Sequence, residues 1–138
     1  MKAAPLVLAA AVLLLAGCGS ESYGAKVSKL CENFAKREKQ IGAPRDPQAL
    51  AVRGDKIVKA YDEEILQPLL RIEPPAKDAA AAERLRGIAR QQRDTHRARA
   101  DAGKRGDVQQ VRRLSVRNAQ LNAQAGEVAR QIKADSCT

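Results

Sequence analysis

The feature that most constrains the fold of this chain is a regular spacing of mostly apolar residues near its carboxyl end. Seven positions between residues 111 and 132 lie three or four residues apart without a break. This period matches one face of an α-helix, and an apolar seam of this length needs a partner helix to cover it. The seam consists of Val111, Leu114, Asn118, Leu121, Ala125, Val128 and Ile132. Its one polar side chain, that of Asn118, either sets the register of helix packing or lies at a solvated edge.

Residues 26–107 also predict helix, because they are rich in Ala, Leu, Arg, Gln, Glu and Lys and nearly free of β-branched runs. We expect one helix over residues 26–41, a second over 47–72 with a kink at Pro68, and a third over 77–102. The first presents Val27, Leu30, Cys31, Phe34 and Ile41; the second Leu50, Ile57, Val58, Tyr61, Ile65, Leu69 and Ile72; the third Ala81, Leu85, Ile88, Gln92, Thr95 and Ala102. Arg99 interrupts the third stripe.

Proline and glycine mark the ends of these helices. Asp46 followed by Pro47 is typical of an N-cap with proline at the first helical position. The run "EPP" over residues 73–75 ends the second helix. In "GKRGD", glycine suits a left-handed C-terminal cap, and Asp107 can cap the helix that follows. The sequence therefore predicts an all-α protein with four helices.

The first eighteen residues are typical of a secretory signal. Lys2 precedes an uncharged aliphatic run over residues 3–16, which is shorter than the about 20 residues needed to cross a bilayer. Leu15-Ala16-Gly17-Cys18 resembles the lipobox of bacterial lipoprotein precursors. An ordinary secretory signal that carries a cysteine near its cleavage site is the alternative.

The lipobox resemblance implies a division of the chain into three parts. Residues 1–17 would be a cleaved signal peptide, residues 18–25 a lipidated amino terminus with a short linker, and residues 26–138 a helical bundle domain. Cys18 would carry a diacylglyceryl group, and the new amino terminus can then be acylated. Two chains suffice for stable attachment, so we expect a lipid-anchored protein on the extracytoplasmic face of the cell membrane.

If Cys18 carries lipid, two cysteines remain in a chain exported to an oxidising compartment. We expect Cys31 and Cys137 to form a structural disulfide. The alternatives are two unrelated buried thiols and a redox-active or metal-binding pair. The chain has no Cys-x-x-Cys and only one histidine, His96, so a metal site is disfavoured. We predict no metal and no cofactor.

The predicted disulfide agrees with the predicted number of helices. Cys31 lies near the start of the first helix, and Cys137 lies just past the end of the last. In an up-and-down bundle, those two ends meet only when the number of helices is even. The expected fold is an up-down-up-down four-helix bundle tied by one disulfide and preceded by a cleaved signal peptide.

Three features together resemble a group of uncharacterised small helical lipoproteins and secreted proteins of high-GC actinobacteria. They are Cys31 within the first helix, the aliphatic run "LLRIEPP" over residues 69–75 with its double proline, and Cys137 at the carboxyl end. The resemblance covers most of the mature chain. It implies no activity, because the group itself is functionally obscure.

The positive charge of the chain is the main indication of a partner. Lys and Arg number 25 against 16 Asp and Glu, and most of the excess lies after residue 75. Candidate contacts for an anionic partner are Arg86, Arg90, Arg93 and Arg97 on the third helix, and Lys104, Arg105, Arg112, Arg113 and Arg117 around the turn that follows. We expect them at a membrane-distal tip facing an anionic cell-wall polymer or an acidic envelope protein. A solvated helical face is the alternative reading.

Other functions are disfavoured by what the sequence lacks. No aromatic residues lie among the arginines and no DNA-binding motif occurs, so we expect no nucleic-acid partner. Consecutive acidic residues at 62–64 would point in different directions, and His96, without a nucleophile partner, is expected on a helix face rather than as a general base. We therefore expect a non-enzymatic interaction bundle. A carrier of a lipid or small apolar ligand in a thin, alanine-rich core is the alternative, an enzyme with an unrecognised site is the third hypothesis, and the oligomeric state stays open.

Overall fold

The computed structural model describes residues 21–43 and 47–138, and all regular structure in these ranges is helical. The prediction of an all-helical domain with four long helical segments is confirmed for this part of the chain. The helices are α1 (Tyr23–Ile41), α2 (Pro47–Tyr61), α3 (Gln67–Arg71), α4 (Ala79–Lys104) and α5 (Val108–Gln131). A π turn (Asp62–Leu66) joins α2 to α3, and short 3-10 turns lie at Ala76–Asp78 and Asp135–Cys137. Cys18 with the signal peptide, Asp46 and the side chain of Leu50 lie outside the described residues.

Helix α1 begins three residues earlier than the sequence predicts. The Ser22 hydroxyl accepts a hydrogen bond from the backbone N–H of Ala25 at 3.2 Å, which caps the first turn. Tyr23 is buried in that turn. The first turn of α1 therefore lies within residues 18–25, which the sequence assigned to a linker.

The carboxyl ends of α4 and α5 are each followed by a residue in the left-handed conformation. Gly106 has a φ of 70°, as expected for the glycine after α4, and the Asp107 carboxylate accepts from the N–H of Gln110 at 2.9 Å. After α5 the left-handed residue is Lys133, with a φ of 59°. The N–H of Ala134 donates back to the carbonyl of Ala129 at 2.9 Å. This turn reverses the chain and sends its last residues toward α1.

The irregularity expected at Pro68 takes the form of a π turn. Proline cannot donate to the carbonyl four residues earlier, and its ring crowds that carbonyl. The turn just before Pro68 is wider than an α-helical turn, since the N–H of Gln67 donates to the carbonyl of Asp62, five residues back. The widened turn still buries Ile65 and Leu66, so it belongs to the core.

The core draws on all four helical segments and confirms most of the predicted apolar stripes. It is centred on Tyr23, Val27, Tyr61, Ile65, Leu66, Leu69, Ala82, Leu85, Ile88, Ala89, Leu121, Val128, Ala129 and Ile132. The seam of α5 is buried only in its second half. Val111, Leu114 and Asn118 are half-buried. The apolar spacing predicts that this face of α5 is buried along its whole length, but its first half is only partly covered by other helices.

The predicted disulfide between Cys31 and Cys137 is confirmed, with their Cα atoms 5.4 Å apart. Hydrogen bonds support it on both sides. The Ser136 hydroxyl donates to a Glu32 carboxylate oxygen at 2.7 Å, and the Ser136 N–H donates to the Ser28 hydroxyl at 3.3 Å. The last residues of the chain are thus held against α1.

Gly24 is required where α1 meets the end of α5. A Cβ at Gly24 would lie 1.9 Å from the carbonyl oxygen of Ile132, whereas a Cβ at Gly87, inside α4, would meet nothing within 4 Å. We expect Gly24→Ala to reduce the free energy of unfolding by about 1 to 3 kcal/mol, because the backbone must move to make room for the added methyl group. Gly87→Ala should raise it by up to about 1 kcal/mol through helix propensity. Thermal unfolding followed by circular dichroism measures both, and equal responses of the two variants would contradict this packing.

Candidate functional site

The main candidate site is a half-open cleft of about 490 Å³ between α1, the α2–α3 segment, α4 and α5. Helix α1 contacts α2 and the π turn, and it meets α5 mainly through the 3-10 turn that carries Cys137. This arrangement leaves a gap between α1 and α5. The cleft is lined by Val27, Leu30, Cys31, Phe34, Glu38, Tyr61, Ile65, Leu69, Leu85, Ala89, Gln92, Asn122, Ala125, Ser136, Cys137 and Thr138. Its size lies within the range usual for small-molecule sites.

The walls of the cleft are mostly apolar. Phe34 of α1 stands edge-on to the ring of Tyr61, with ring centroids 5.3 Å apart and planes at 83°. Leu69, Leu85 and Ala89 form a buried floor. A ligand in the cleft would therefore meet aliphatic and aromatic surface on three sides.

Three polar side chains in the cleft are paired with one another. The Tyr61 hydroxyl donates to the Gln92 side-chain carbonyl at 2.6 Å, and the Gln92 amide donates in turn to the Asn122 side-chain carbonyl. Burial raises the pKa of Tyr61, so its hydroxyl stays protonated and acts as a donor. The other polar side chains of the lining, those of Glu38, Ser136 and Thr138, bond to residues outside it. The cleft therefore presents few polar side chains without a partner to a ligand.

His96 lies behind Tyr61 and is buried, not placed on an open helix face. Its ring centroid is 5.2 Å from that of Tyr61, and it is 8% exposed. Burial lowers the pKa of His96 to about 4, and the positive charges of Arg99 and Arg53 act in the same direction. The imidazole is therefore neutral at neutral pH.

Two of the arginines predicted to contact an anionic partner are engaged inside the protein. Arg86 donates to the carbonyls of Ile72 at 2.8 Å and Leu69 at 3.4 Å, and it pairs with Glu83. It thereby caps the carboxyl end of α3, where carbonyls lack helical partners. Arg93 is 2.7 Å from a carboxylate oxygen of Asp94. Both side chains are largely covered.

The other predicted basic residues differ in how far they are occupied. Lys104 lies 2.7 Å from Asp55, Arg113 donates to Gln110 and Arg117 donates to Gln91. The remaining four are exposed, and their side chains form no hydrogen bond or ion pair with any residue in the described ranges. They are Arg90, Arg97, Arg105 and Arg112. The nine residues thus do not form one cluster, because Arg86 is at the α3 end of α4 and Arg105 is at the opposite end.

The acidic run does not converge on a point. Asp62 lies 3.8 Å from Arg93, and Glu63 lies 3.8 Å from Lys59, so these two carboxylates face different partners. Within residues 21–43 and 47–138, no group of three or more His, Cys, Asp or Glu side chains comes close enough to hold a metal ion.

A second, smaller cavity brings together residues that the sequence analysis did not select. It has a volume of about 150 Å³ and lies between α2, α4 and α5, with Arg53, Arg99 and Ser115 on its walls. The one signal in the sequence was Arg99, which interrupts an otherwise buried stripe. Arg53 gave no such signal, because only packing brings it to Arg99.

Comparisons with protein-family models, with curated proteins and with solved structures gave no match. Among the described helices, none combines the length and the apolar character needed to span a membrane.

The burial of His96 predicts an acid-dependent loss of stability. Above its ordinary pKa of 6.5, His96 is neutral in both the folded and the unfolded chain. Between pH 6.5 and about pH 4, His96 is protonated in the unfolded chain but stays neutral in the folded protein. The free energy of unfolding should therefore fall as pH drops, by roughly 2 to 3 kcal/mol between pH 7 and pH 4.5 from this residue. Urea unfolding at both pH values measures it. The His96→Gln variant should lose this part of the pH dependence, and an unchanged difference between the two pH values would contradict the assignment.

Proposed function

We propose that the chain is a lipoprotein of the kind its LAGC motif resembles, anchored through Cys18 on the extracytoplasmic face of the cell membrane, and that it acts by binding without catalysis. The described helical domain starts at Tyr23, five residues after Cys18. This short spacing favours a domain that stands directly on the membrane. The resemblance to small actinobacterial lipoproteins supports the same placement.

The proposal includes an up-down-up-down order of the four helical segments. Contacts between the second segment and α4 support it, because partners move backward along α4 as they move forward along the second segment. Asp55 pairs with Lys104, Tyr61 with Gln92, and the carbonyl of Ile72 with Arg86. In that order the turn between α4 and α5 lies at the end away from Tyr23, and hence away from the membrane.

The function that the geometry supports best is binding of a small apolar ligand, such as a lipid chain, in the cleft between α1 and α5. The observation that carries it is the cleft itself, about 490 Å³ in volume, with Phe34 and Tyr61 on its walls. Its polar side chains already hold partners, either one another or residues outside the cleft lining, so removing water from it costs little hydrogen bonding. An apolar ligand in the gap between α1 and α5 would pack against both helices, which contact each other little there.

A second candidate is contact between the exposed basic residues and an anionic cell-wall polymer or an acidic envelope protein. The observation that favours it is that Arg105 and Arg112 flank the α4–α5 turn without partners among the described residues. Exposed, unpaired guanidinium groups attract polyanions through long-range forces that salt weakens.

Anchoring is tested by replacing the lipid-bearing thiol. Cys18→Ser should abolish incorporation of labelled fatty acid and release the chain from the membrane fraction, because two acyl chains are needed for stable attachment. The matched control is the double variant Cys31→Ser with Cys137→Ser, which removes the other two cysteines and should keep the label. Labelled Cys18→Ser protein, or unlabelled wild-type protein, would contradict anchoring.

Ligand binding is tested by filling the cleft. Native mass spectrometry of the full chain purified from its membranes should show bound ligand mass on the wild type. Ala125→Phe places a ring in the cleft and should reduce occupancy at least about tenfold, whereas Ala123→Phe, exposed on the same helix, should leave it unchanged. Circular dichroism checks that both variants are folded.

The outcomes separate the two candidates. A wild-type spectrum with only the mass of the protein, or equal occupancy in Ala125→Phe and Ala123→Phe, would contradict binding in the cleft. If the function lies on the basic surface, retention on anionic wall polymer should fall at low salt when Arg105 and Arg112 are changed to Gln. Ala125→Phe should leave that retention intact.

A further inference from the structure

The small cavity between α2, α4 and α5 is built around an unusually close helix contact. A Cβ at Gly54 would lie 2.7 Å from the Cβ of Ala100, so α2 and α4 can approach this closely only because residue 54 is glycine. The residues immediately before them, Arg53 and Arg99, both border the cavity beside this contact. Two guanidinium groups are thereby brought together in a partly enclosed space.

The positive charge around this cavity is not balanced. Arg53 donates through Nε to the carbonyl of Gly42 at 2.7 Å, and its Nη2 forms an ion pair with the Glu38 carboxylate at 3.4 Å, so one acidic group stands against two guanidinium groups. Arg99 is half-buried, and its side chain makes no hydrogen bond or ion pair with any described residue. Burial lowers the pKa of Arg99, and Arg53 adds to that effect, while Glu38 opposes it. A half-buried guanidinium without an acceptor is costly, and it is offset when an anion accepts its hydrogen bonds.

Ser115 of α5 adds a rotatable hydroxyl to the same cavity. It donates at present to the carbonyl of Val111 at 2.9 Å, an interaction within its own helix that it can exchange for another acceptor. A guanidinium presents five donors in a planar fork, which suits the oxygens of phosphate or sulfate. Arg53, Arg99 and Ser115 border a cavity of about 150 Å³, which admits one small group and not a long chain.

We propose that the cavity between Arg53 and Arg99 binds one small oxyanion of the phosphate or sulfate class, with Ser115 as a third contact. The site is separate from the cleft and goes beyond the proposed function. The anion would supply the acceptor that Arg99 lacks and would offset the repulsion between the two guanidinium groups.

The test uses the full lipidated chain in a neutral maltoside detergent, with inorganic phosphate as the probe and chloride to hold ionic strength constant. Phosphate should raise the melting temperature of the wild type by a few degrees. His96 is the only histidine, so isotope-labelled histidine gives one resonance, and bound phosphate should raise its pKa by offsetting the charges of Arg99 and Arg53. No response to phosphate, or a response without a change at His96, overturns the proposal.

Matched variants locate the binding. Arg99→Gln should bind phosphate at least about tenfold more weakly, while Arg97→Gln removes the same charge from an exposed position on the same helix and should keep the response. Equal losses in the two variants would indicate diffuse attraction to the basic surface and would overturn the proposal. Ser115→Leu fills the cavity but keeps both arginines, so it serves if Arg99→Gln does not fold, and retained binding in Ser115→Leu also overturns the proposal.

Glycerol 3-phosphate distinguishes two sources of the phosphate group. A response to both probes indicates an ester on a larger molecule, and a response to inorganic phosphate alone indicates the free ion; both results support an oxyanion site. Ala125→Phe should respond to phosphate as the wild type does, so the outcome here is independent of ligand binding in the cleft.

Discussion

The disulfide between Cys31 and Cys137 holds together the two parts of the chain that enclose the cleft. Helix α1 reaches α5 mainly through the short turn that contains Cys137, so few other contacts fix the distance between these helices. Closing a loop of 106 residues contributes about 4 to 5 kcal/mol in the chain-entropy model. A domain with one Phe, two Tyr and no Trp depends on such a link, because its core is thin. The same link allows a gap to persist between α1 and α5 without loss of the fold.

The interior of the domain combines apolar packing with a polar layer. Tyr61 connects the two, since its ring packs on Phe34 and His96 while its hydroxyl reaches Gln92. Burial keeps Tyr61 protonated and His96 neutral, so the layer carries no charge at neutral pH. The Nδ1 atom of His96 is buried and makes no hydrogen bond within the described residues. Tyr61 and Gln92 of this layer line the apolar cleft, and the charges of Arg53 and Arg99 at the small cavity act on His96.

Among the described residues, three physical situations of arginine matter most. Some complete the fold, as Arg86 does by binding the carbonyls that α3 leaves open. Some are exposed and unpaired, as Arg112 is at the start of α5. Arg53 and Arg99 are in neither situation, because they are partly covered and placed side by side. Only the third arrangement stores electrostatic repulsion that a bound anion can relieve, since water screens the exposed charges.

The sequence by itself determined the helices, most of their ends and the disulfide. Local rules decide these features: the spacing of Val128 and Ile132, the cap at Asp107 and the two remaining cysteines needed no knowledge of packing. Tertiary structure alone decided the burial of His96, the cleft, and the pairing of Arg53 with Arg99. Each of these depends on which residues distant in the chain come together. The close approach at Gly54 shows the reason, because a missing side chain specifies nothing until Ala100 lies against it.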